Sequence, residues 1–476
     1  MTEIKINHDN YFFKSLNPSA ILKKNNGINL MEIYTYPSKK AEAKITSIIN
    51  RSLEFKEKDL VSVTQIINNV KKNGDNALIK FINRFDSPDL TIDSIRVREE
   101  EFKNAEREVD EKFISSLNCA IKQVKSFHQQ QVPKSWIDTK RSGTFLGQLI
   151  NPVDAAGIYV PGGKGGMTPL VSSVIMGGVP AVIAGVNNIA ITTPPKKDGT
   201  VSPHLLVAAE KIGIKKIYKA GSAWAIAALA HGTETIDKVD VIVGPGNIYV
   251  TLAKKIVSET VGIDMIAGPS EILIIADKRA NPEFIASDLL SQAEHDPLAS
   301  AILVTDSEEL AKKVAGTVST QVSNLCRKEI AEESLKKYGA IIVVPNISSG
   351  LELANGIAPE HLEIITKDPF EHIGAIRNAG AVFLGDYTPE PVGDYIAGPN
   401  HVLPTAGTAR FASSLSVDNF IKKTSLLHYS KEAFHREADH IIRLAAAEGL
   451  DGHANSIKIR LSHLSNIKSQ GSSEKT

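Results

Sequence analysis

The sequence predicts an α/β fold with two open parallel sheets and with helical segments at both ends of the chain. Short apolar runs that end in glycine, such as GIYVPGG and VDVIVGPGN, alternate with helix-like segments between about residues 157 and 267. A second alternation of the same kind begins at EILIIAD, residues 271–277. Segments with helical spacing precede the first block, and a charged helical sequence follows about residue 415. Strands that alternate with helices indicate βαβ units and therefore parallel sheets.

Each block of strands and helices is interpreted as an incomplete Rossmann-like sheet. The first block interrupts the elements of the second, so it is predicted to be an inserted domain. The predicted divisions are an unstructured extension (1–30), a helical segment with the first part of domain 1 (31–158), the inserted α/β domain (159–269), the second part of domain 1 (270–414) and a helical tail (415–476).

Three helices are predicted before the inserted domain from the spacing of their apolar residues, at Lys40–Arg51, Leu60–Phe81 and Glu99–His128. The stretch from Gly165 to Pro195 has no charge, which raises the question of a membrane span. Prolines, asparagines and glycines interrupt it, whereas a spanning helix needs about 20 predominantly apolar residues. We interpret it as a buried helix near Leu170–Met176 followed by a buried strand at Ala181–Val186.

Composition limits the class of protein. The chain of 476 residues is too long for one ordinary compact core, so two or more domains are expected. Lys+Arg and Asp+Glu both total 54, so the chain lacks the basic excess of a nucleic-acid-binding protein. Cys119 and Cys326 are too few for a disulfide framework or a four-thiolate zinc site, and we expect buried, reduced thiols in a cytoplasmic protein. The first residues contain no apolar run typical of a secretion signal.

The sharpest motif is SDLLSQAEHDP, in which Gln292 and His295 lie three residues apart. On a helix these two side chains share one face and could hold one metal ion. A lone histidine on a helix is more often structural, so the pair is a weak signal by itself. The segment GDYIAGPNHVLPT adds His401 and Asp394, which is either a metal ligand or a turn residue, in a loop with little charge.

The segment APEHLEI places Glu360 beside His361 and after Pro359. A carboxylate and an imidazole at one junction of strand and helix could share acid–base work, although a capped helix start explains these residues equally well. AAAEGLDGHANS contains Glu448 and His453, which taken singly are typical of a protein surface. GGKGGMTPL and GPGNIYV follow strands, and they either cradle a dinucleotide with backbone N–H groups or form turns only.

Taken together, these segments resemble the histidinol dehydrogenase family in their order and spacing. The resemblance runs from about Met31 to near Leu464. It rests on seven separate sequence motifs: IYVPGG, VGPGN, GPSEILIIAD, SDLLSQAEHDP, APEHLEI, GDYxxGPNHVLPT and EGLxxHANS. It implies a cytoplasmic, zinc-dependent and NAD-linked oxidoreductase. The implied reaction converts histidinol to histidine through histidinaldehyde, in the last steps of histidine biosynthesis.

The resemblance also implies roles for the matching residues. Zinc would be held by Gln292, His295, Asp394 and His453. His361 would be the general base for the alcohol, and Glu360 would activate the water that adds to the aldehyde. The residues implied to contact substrate are Ser270, Gln292, His295, His361, Asp394, His401, Glu448 and His453. Those implied to contact NAD, on the inserted domain, are Tyr159, Trp224 and Asn247.

The resemblance further implies a homodimer with shared active sites. The tail after residue 415 has little apolar surface for a core of its own, and in the resembled family it reaches the active site of the partner. His453 is therefore expected to complete the zinc site of the other subunit. No nucleic-acid or membrane partner is expected.

One departure from the family concerns the cofactor. The family commonly has glutamine within GxAQAI, whereas this chain reads GSAWAI with Trp224. An indole can stack on a ring but cannot accept a hydrogen bond, so the NAD contact at this position is left open. Residues 1–30 also lie outside the usual start of the family.

Two alternatives remain at this point. One is a related zinc- and NAD-dependent alcohol dehydrogenase acting on another substrate, such as a sulfonated propanediol, although the intact EGLxxHANS and GPSE segments favour histidinol. The other is a non-catalytic metal-binding or scaffold protein on the same fold. The presence of Glu360, His361 and all four implied zinc ligands disfavours that second alternative.

Overall fold

The fold is built from strands that come from distant parts of the chain. The structure, a computed structural model, describes residues 30–51, 56–162 and 168–470, with side chains described as far as residue 463. The strands in chain order are β1 (Ile33–Thr35), β2 (Trp136–Asp138), β3 (Thr144–Pro152), β4 (Ala155–Tyr159), β5 (Asn188–Thr193), β6 (Lys216–Lys219), β7 (Val241–Val243), β8 (Gly262–Ile263), β9 (Glu271–Ala276), β10 (Ser300–Thr305), β11 (Gly339–Val343), β12 (His361–Ile365), β13 (Ala381–Leu384) and β14 (Ile421–Tyr429).

Helices pack around these strands. In chain order they are α1 (Lys39–Ile49), α2 (Glu57–Phe81), α3 (Glu99–Glu108), α4 (Glu111–Gln129), α5 (Val171–Ala184), α6 (Pro203–Lys211), α7 (Ser222–His231), α8 (Ile248–Val257), α9 (Pro282–Ala293), α10 (Glu308–Gln321), α11 (Lys328–Tyr338), α12 (Ile347–Ile357), α13 (Glu390–Tyr395), α14 (Lys431–Ala447) and α15 (Asp451–Gln470). A π-helical turn, Ile82–Asp86, continues α2.

Two of the sheets are parallel throughout, as the sequence predicts. The six-stranded sheet has the order β1-β11-β10-β9-β12-β13, and the five-stranded sheet has the order β6-β5-β4-β7-β8. In the larger sheet, Leu273 of β9 lies opposite Ile302 of β10 and Leu362 of β12. The strands of the smaller sheet lie between β1 and β9 in the sequence. The chain segment that forms this sheet is therefore an insertion between two strands of the larger sheet. The predicted α/β class is confirmed, and the predicted domain limits stay a prediction.

The central strands of both parallel sheets are buried on both faces. In β9, Ile272 faces one apolar core and Leu273 faces another. In β4, Ile158 and Tyr159 are divided between two cores in the same way. Strands that are buried on both faces carry continuous apolar sequence, which is why these runs can be recognised without a structure.

Helix α5 overturns one predicted strand. The strand predicted at Ala181–Val186 is wrong, because α5 continues to Ala184 and Gly185 ends it in the left-handed conformation (φ 85°). The next strand is β5, which begins at Asn188. A buried helix and a buried strand both appear as uninterrupted apolar sequence, so periodicity cannot separate them.

Pro180 lies inside α5 and removes one backbone N–H from the helix. The carbonyl that loses its partner is that of Met176, four residues earlier. The side-chain amide of the buried Asn400 donates a hydrogen bond to this carbonyl oxygen at 2.7 Å. Asn400 therefore completes the hydrogen bonding of α5, and it fixes the segment that leads into His401 against the helix.

The long helix predicted at Glu99–His128 is divided into α3 and α4. Val109 between them has extended backbone, and the side chain of Asp110 caps α4 by accepting a hydrogen bond from Phe113 N at 2.8 Å. An aspartate at this position starts a new helix because it satisfies an N–H that has no partner within the helix.

The tail after residue 415 is not helical throughout, which corrects the prediction. β14 pairs antiparallel with β3, from Ile421 opposite Pro152 to Tyr429 opposite Thr144, and β2 completes this third sheet. Most side chains of β14 are exposed, so IKKTSLLHY lacks the apolar alternation that would reveal a strand. The helices α14 and α15 follow it.

The structure also bears on the expectations for the two cysteines, for residues 1–30 and for a membrane-spanning helix. Cys119 and Cys326 are free and exposed, so the prediction that they are buried is wrong. The predicted unstructured extension falls mainly on residues 1–29, which lie outside the described residues, while Leu30 and Met31 belong to the buried core. Among the described helices, we find none with the length and apolar content needed to cross a bilayer.

Candidate active site

The two predicted catalytic residues lie where the chain passes from α12 into β12. The helix ends at Ile357, and Ala358 follows in the left-handed conformation (φ 55°). The segment APEHLEI therefore runs from helix to strand, and its interpretation as a helix start is wrong. Glu360 and His361 are 8% and 4% exposed, so one buried polar side chain precedes β12 and another begins it.

Glu271, the first residue of the neighbouring strand β9, holds both residues. Its backbone N–H donates to Oε2 of Glu360 at 2.9 Å, and its own Oε2 accepts from the backbone N–H of Glu360 at 3.3 Å. Its carbonyl oxygen lies 2.8 Å from Nδ1 of His361. A carbonyl oxygen can only accept a hydrogen bond, so Nδ1 carries the proton and Nε2 is the nitrogen that can accept one.

Burial sets the protonation of this pair. Burial lowers the pKa of His361 to about 4, so its imidazole is neutral near pH 7. Burial, followed by the negative charge of Glu271, raises the pKa of Glu360 well above its usual range. A neutral imidazole and a carboxyl with a raised pKa are groups that can accept and pass on protons near neutral pH.

His361 lines a cleft of about 310 Å³ at the amino-terminal edge of β12 and β13. The same cleft is lined by Asp394 and His401, and by Phe127 of α4 on another side. Asp394 lies in the short helix α13, not in the loop that was expected for it. The structure thus brings together residues from two of the predicted site segments, APEHLEI and GDYIAGPNHVLPT.

A group of possible metal ligands stands in this cleft. Ligand atoms of His361, Glu390 and Asp394 lie within 4.8 Å of one another. Sequence reasoning missed Glu390, although its position four residues before Asp394 in TPEPVGD would place both on one face of a helix. Ser291 of α9 donates a hydrogen bond to Oε2 of Glu390 at 3.1 Å, so α9 lies beside the group.

The end of α9 brings Gln292 and His295 to the same place. The helix ends at Ala293, and the backbone N–H of His295 reaches back to the carbonyl of Gln292 at 3.2 Å. Gln292 is 1% exposed, and its Oε1 has no hydrogen-bond partner among the described residues. His295 is exposed, and it lies near enough to the carboxyls of Glu390 and Asp394 to oppose the rise that burial causes in the pKa of each. Both residues of the predicted ligand pair therefore lie at or just beyond the end of α9, the helix that contacts Glu390 through Ser291.

These residues fit a zinc ion. Zinc accepts imidazole nitrogen and carboxylate oxygen, and a buried amide oxygen without a partner is costly unless a ligand reaches it. Nε2 of His401 is a second buried polar atom without a partner in the described part of the chain. Burial raises the pKa of Asp394 and the charge of His401 opposes that shift, as a bound cation would.

The other predicted substrate contacts, Ser270, Glu448 and His453, do not line the cleft of His361. Ser270 directly precedes Glu271, and its carbonyl accepts from Ser300 N at 3.0 Å. Glu448 caps the end of α14 and His453 lies in the first turn of α15, and both are exposed. Among the described residues of one chain, His453 is not part of the ligand group around Asp394.

In the inserted sheet, Asn247 follows β7 and stands at the carboxyl-terminal edge of the five strands. It is exposed, and its Oδ1 caps α8 by accepting two backbone N–H groups at 3.1 and 3.2 Å. The preceding turn is fixed by a buried ion pair of Lys254 and Asp264, which bind the carbonyl and the N–H of Gly244 at 2.9 and 2.7 Å. Such a turn fits a dinucleotide, since ligands of parallel sheets bind at this edge.

Tyr159 and Trp224, the other two predicted NAD contacts, are buried. The hydroxyl of Tyr159 accepts a backbone N–H at the start of α7 at 3.1 Å. Nε1 of Trp224 donates to Oδ2 of Asp86 at 3.0 Å. Phe81 and Phe85 stack on the indole with interplanar angles of 14° and 20°. The indole is thus engaged within the protein core.

The substitution Trp224→Phe tests whether the indole also serves the cofactor. The phenyl ring keeps the aromatic stack, but Asp86 loses a hydrogen-bond donor, so the free energy of unfolding should fall by about 1–3 kcal/mol. The KM for NAD should stay unchanged. Urea unfolding and steady-state kinetics measure the two effects. Asn247→Ser, which keeps a capping side chain, should raise the KM for NAD instead. A higher KM for NAD in Trp224→Phe with unchanged stability would show that the indole contacts the cofactor.

Comparison with known proteins identifies the family of the chain. A family model described as Histidinol dehydrogenase matches residues 50–461. Among similar curated proteins, the histidinol dehydrogenase of Desulfotalea psychrophila is 52% identical over 432 residues, covering 91% of this chain and 100% of that protein. The histidinol dehydrogenase of Bacillus subtilis is 51% identical over 404 residues, covering 85% of this chain and 93% of that protein.

The fold agrees as well. The crystal structure of histidinol dehydrogenase from Elizabethkingia anophelis matches with a TM-score of 0.86 and 39% sequence identity, covering 92% of this chain and 99% of that one. Both the sequence and the fold therefore match along nearly the whole described chain. The chain belongs to the histidinol dehydrogenase family, the zinc- and NAD-dependent oxidoreductases that convert histidinol to histidine.

Proposed function

We propose that this chain oxidises histidinol in two NAD-linked steps in the cleft lined by His361. The observation that carries the proposal is the joint attachment of Glu360 and His361 to Glu271, beside the ligand group of Asp394. This arrangement would supply a proton acceptor and a second acid–base group beside a possible metal site. These three parts are what the oxidation of an alcohol through an aldehyde to an acid requires.

His361 is the general base for the alcohol. Its Nδ1 proton is bound to the carbonyl of Glu271, so Nε2 takes the hydroxyl proton as hydride leaves for NAD. Because burial lowers the pKa of His361, the imidazole is unprotonated and ready to accept at neutral pH. Its ring lies 5.9 Å from the ring of Phe383, which limits the directions it can take.

Glu360 serves the second step. Its carboxyl is held through Oε2 by the backbone N–H of Glu271, which leaves its other oxygen to bind the water that adds to the aldehyde. The raised pKa of Glu360 makes this carboxyl a suitable acceptor for a water proton. NAD, when bound, would accept the hydride of the hydrated aldehyde and so allow the acid to form.

Gln292, His295 and Asp394 would hold the zinc ion, together with His453 of the partner subunit. The bound ion supplies a fixed positive charge that orients the imidazole and amine of the substrate, and it undergoes no change of redox state. Ser270, His401 and Glu448 are assigned to the substrate, and Tyr159 and Asn247 to NAD.

A steady-state assay tests the proposed function. The protein should form two NADH for each histidinol consumed, and a chelator should stop the reaction. A sulfonated propanediol should give no comparable turnover, since the relatives described above are all named histidinol dehydrogenase. Turnover of the sulfonated compound without turnover of histidinol would contradict the proposal.

We further propose that two chains form a homodimer with shared active sites. Support comes from the exposed position of His453 in α15 and from its absence from the ligand group among the described residues of one chain. The helix α15 packs on α14, which continues from the exposed strand β14. A two-fold arrangement lets each tail serve the site of its partner.

Complementation between two inactive variants tests this arrangement. His453→Ala and His361→Ala proteins should each be inactive alone. In a mixed dimer, one site receives His361 from one chain and His453 from the other, and the second site carries both lesions. After joint refolding, roughly a quarter of all sites should be active if pairing is random and two-fold. If the tail served its own chain, mixing would restore no activity, and refolded wild-type protein controls for recovery.

We also propose that the chain acts in the cytoplasm. Its two cysteines, Cys119 and Cys326, are free and exposed. Exposed thiols persist in a reducing compartment, whereas oxidising compartments favour disulfides. A labelled chain found mainly outside the cytoplasm would contradict this assignment.

A further inference from the structure

A buried ion pair lies behind the proposed catalytic residues. The side chains of Arg51 and Glu271 are 2% and 6% exposed, and Nη2 of Arg51 lies 2.8 Å from Oε1 of Glu271. Taking two charges out of water is costly unless further hydrogen bonds fix them. A pair in this position therefore calls for a reason beyond stability.

Arg51 is held on three sides. Its Nε donates to the carbonyl of Leu298 at 2.9 Å, and its Nη1 donates to the carbonyl of Ile48 at 2.6 Å. Those two carbonyls lie before β10 and in the last turn of α1. The guanidinium thus anchors Glu271 to two elements that do not line the cleft.

Glu271 uses separate polar groups to bind Arg51 on one side and Glu360 and His361 on the other. Oε1 faces Arg51, and Oε2 accepts from the backbone N–H of Glu360. The backbone N–H and carbonyl of Glu271 bind the carboxyl of Glu360 and the imidazole of His361. A shift of Glu271 would therefore move the carboxyl of Glu360 and weaken the bond that selects the tautomer of His361.

We propose that Arg51 and Glu271 form a positioning unit, which places Glu360 and fixes the tautomer of His361 without touching substrate. The inference rests on the proposed roles of Glu360 and His361. Its physical basis is that Arg51 neutralises a carboxylate that would otherwise be buried as an unpaired charge. Without that neutralisation, the carboxylate of Glu271 would turn towards water or take up a proton, and its bond to the backbone of Glu360 would be lost.

The substitution Arg51→Met tests the unit. It should lower kcat roughly 10- to 100-fold, because a misplacement of about 1 Å can cost about 100-fold. The KM for histidinol and the zinc content should change little, since no ligand is touched. Oxidation of histidinaldehyde should lose more than oxidation of histidinol, because Oε2 of Glu271 binds Glu360 directly. Arg51→Lys keeps the charge and should recover part of kcat.

A matched control and a second variant separate positioning from folding. Arg141→Met removes an arginine that pairs with Glu437 at the surface, and it should leave kcat unchanged. If Arg51→Met does not fold, Arg51→Met/Glu271→Gln contains no unpaired buried charge, and its amide oxygen still accepts from Glu360 N. This double variant should fold and retain more activity than either single variant.

The outcomes distinguish this inference from the proposed function. If the wild-type protein oxidises neither histidinol nor histidinaldehyde, that result would contradict the proposed function itself. Active wild-type protein with an unchanged kcat in folded Arg51→Met would overturn only the positioning unit. Equal activity of Arg51→Lys and Arg51→Met, with losses that follow the melting temperature, would also overturn it.

Discussion

Replacing His361 with asparagine is expected to lower kcat for both oxidations by about 100- to 10,000-fold, the usual contribution of a general base. The asparagine amide can still donate to the carbonyl of Glu271, as Nδ1 does in the native protein. It offers no nitrogen that can accept a proton, so the variant removes the chemistry while keeping the anchor. Steady-state rates on histidinol and on histidinaldehyde measure the effect.

The variant Glu360→Gln provides the comparison. Its amide oxygen can still accept from the backbone N–H of Glu271, but it cannot take a proton from water. It should therefore impair aldehyde oxidation far more than alcohol oxidation. Equal losses on the two substrates in Glu360→Gln would count against separate roles for the two residues.

Removal of the metal should have the second large effect. Chelation is expected to abolish activity, and added zinc should restore it. Asp394→Asn should bind zinc more weakly, because it loses the negative charge that balances the cation within the cleft. Metal content and activity as a function of zinc concentration measure this directly.

Thermal unfolding supplies a readout of zinc binding that is independent of activity. A ligand that binds only the folded state raises the melting temperature, so zinc should stabilise the wild type more than Asp394→Asn. Asp386→Asn, which removes an exposed carboxylate shortly before α13, should behave as the wild type. Full activity in metal-free protein would refute the assignment of the site.

Much of the fold follows from the sequence because buried parallel strands have a simple pattern. The segments EILIIAD and AILVTD contain the uninterrupted apolar runs ILIIA and AILV between polar residues, so β9 and β10 can be placed without a structure. The same simplicity misleads at Ala181–Val186, where the end of a buried helix is equally apolar. The exposed strand β14 has the opposite problem, since solvent on its side chains removes the pattern.

The residues of the candidate site could be predicted only where they belong to recognisable sequence motifs. Glu360, His361 and Asp394 lie in such motifs. In the structure His361 and Asp394 line one cleft, and Glu360 precedes His361 and binds the same residue, Glu271. The contribution of Arg51 and of Glu271 could not be predicted, because their contact joins residues far apart in the sequence. Charge pairs of this kind exist only once the sheet has formed.

The insertion of the five-stranded sheet between β1 and β9 has a consequence for how the chain folds during synthesis. The inserted sheet uses strands from β4 to β8, so it can pair as soon as that continuous stretch has been made. β1 pairs with β11, Ile33 opposite Ile341, and therefore waits until most of the chain has emerged. Pairing over such a separation is slow and leaves apolar strand edges open in the meantime. The newly made chain should therefore pass through a stage in which the inserted sheet is folded while the six-stranded sheet still depends on protection from aggregation.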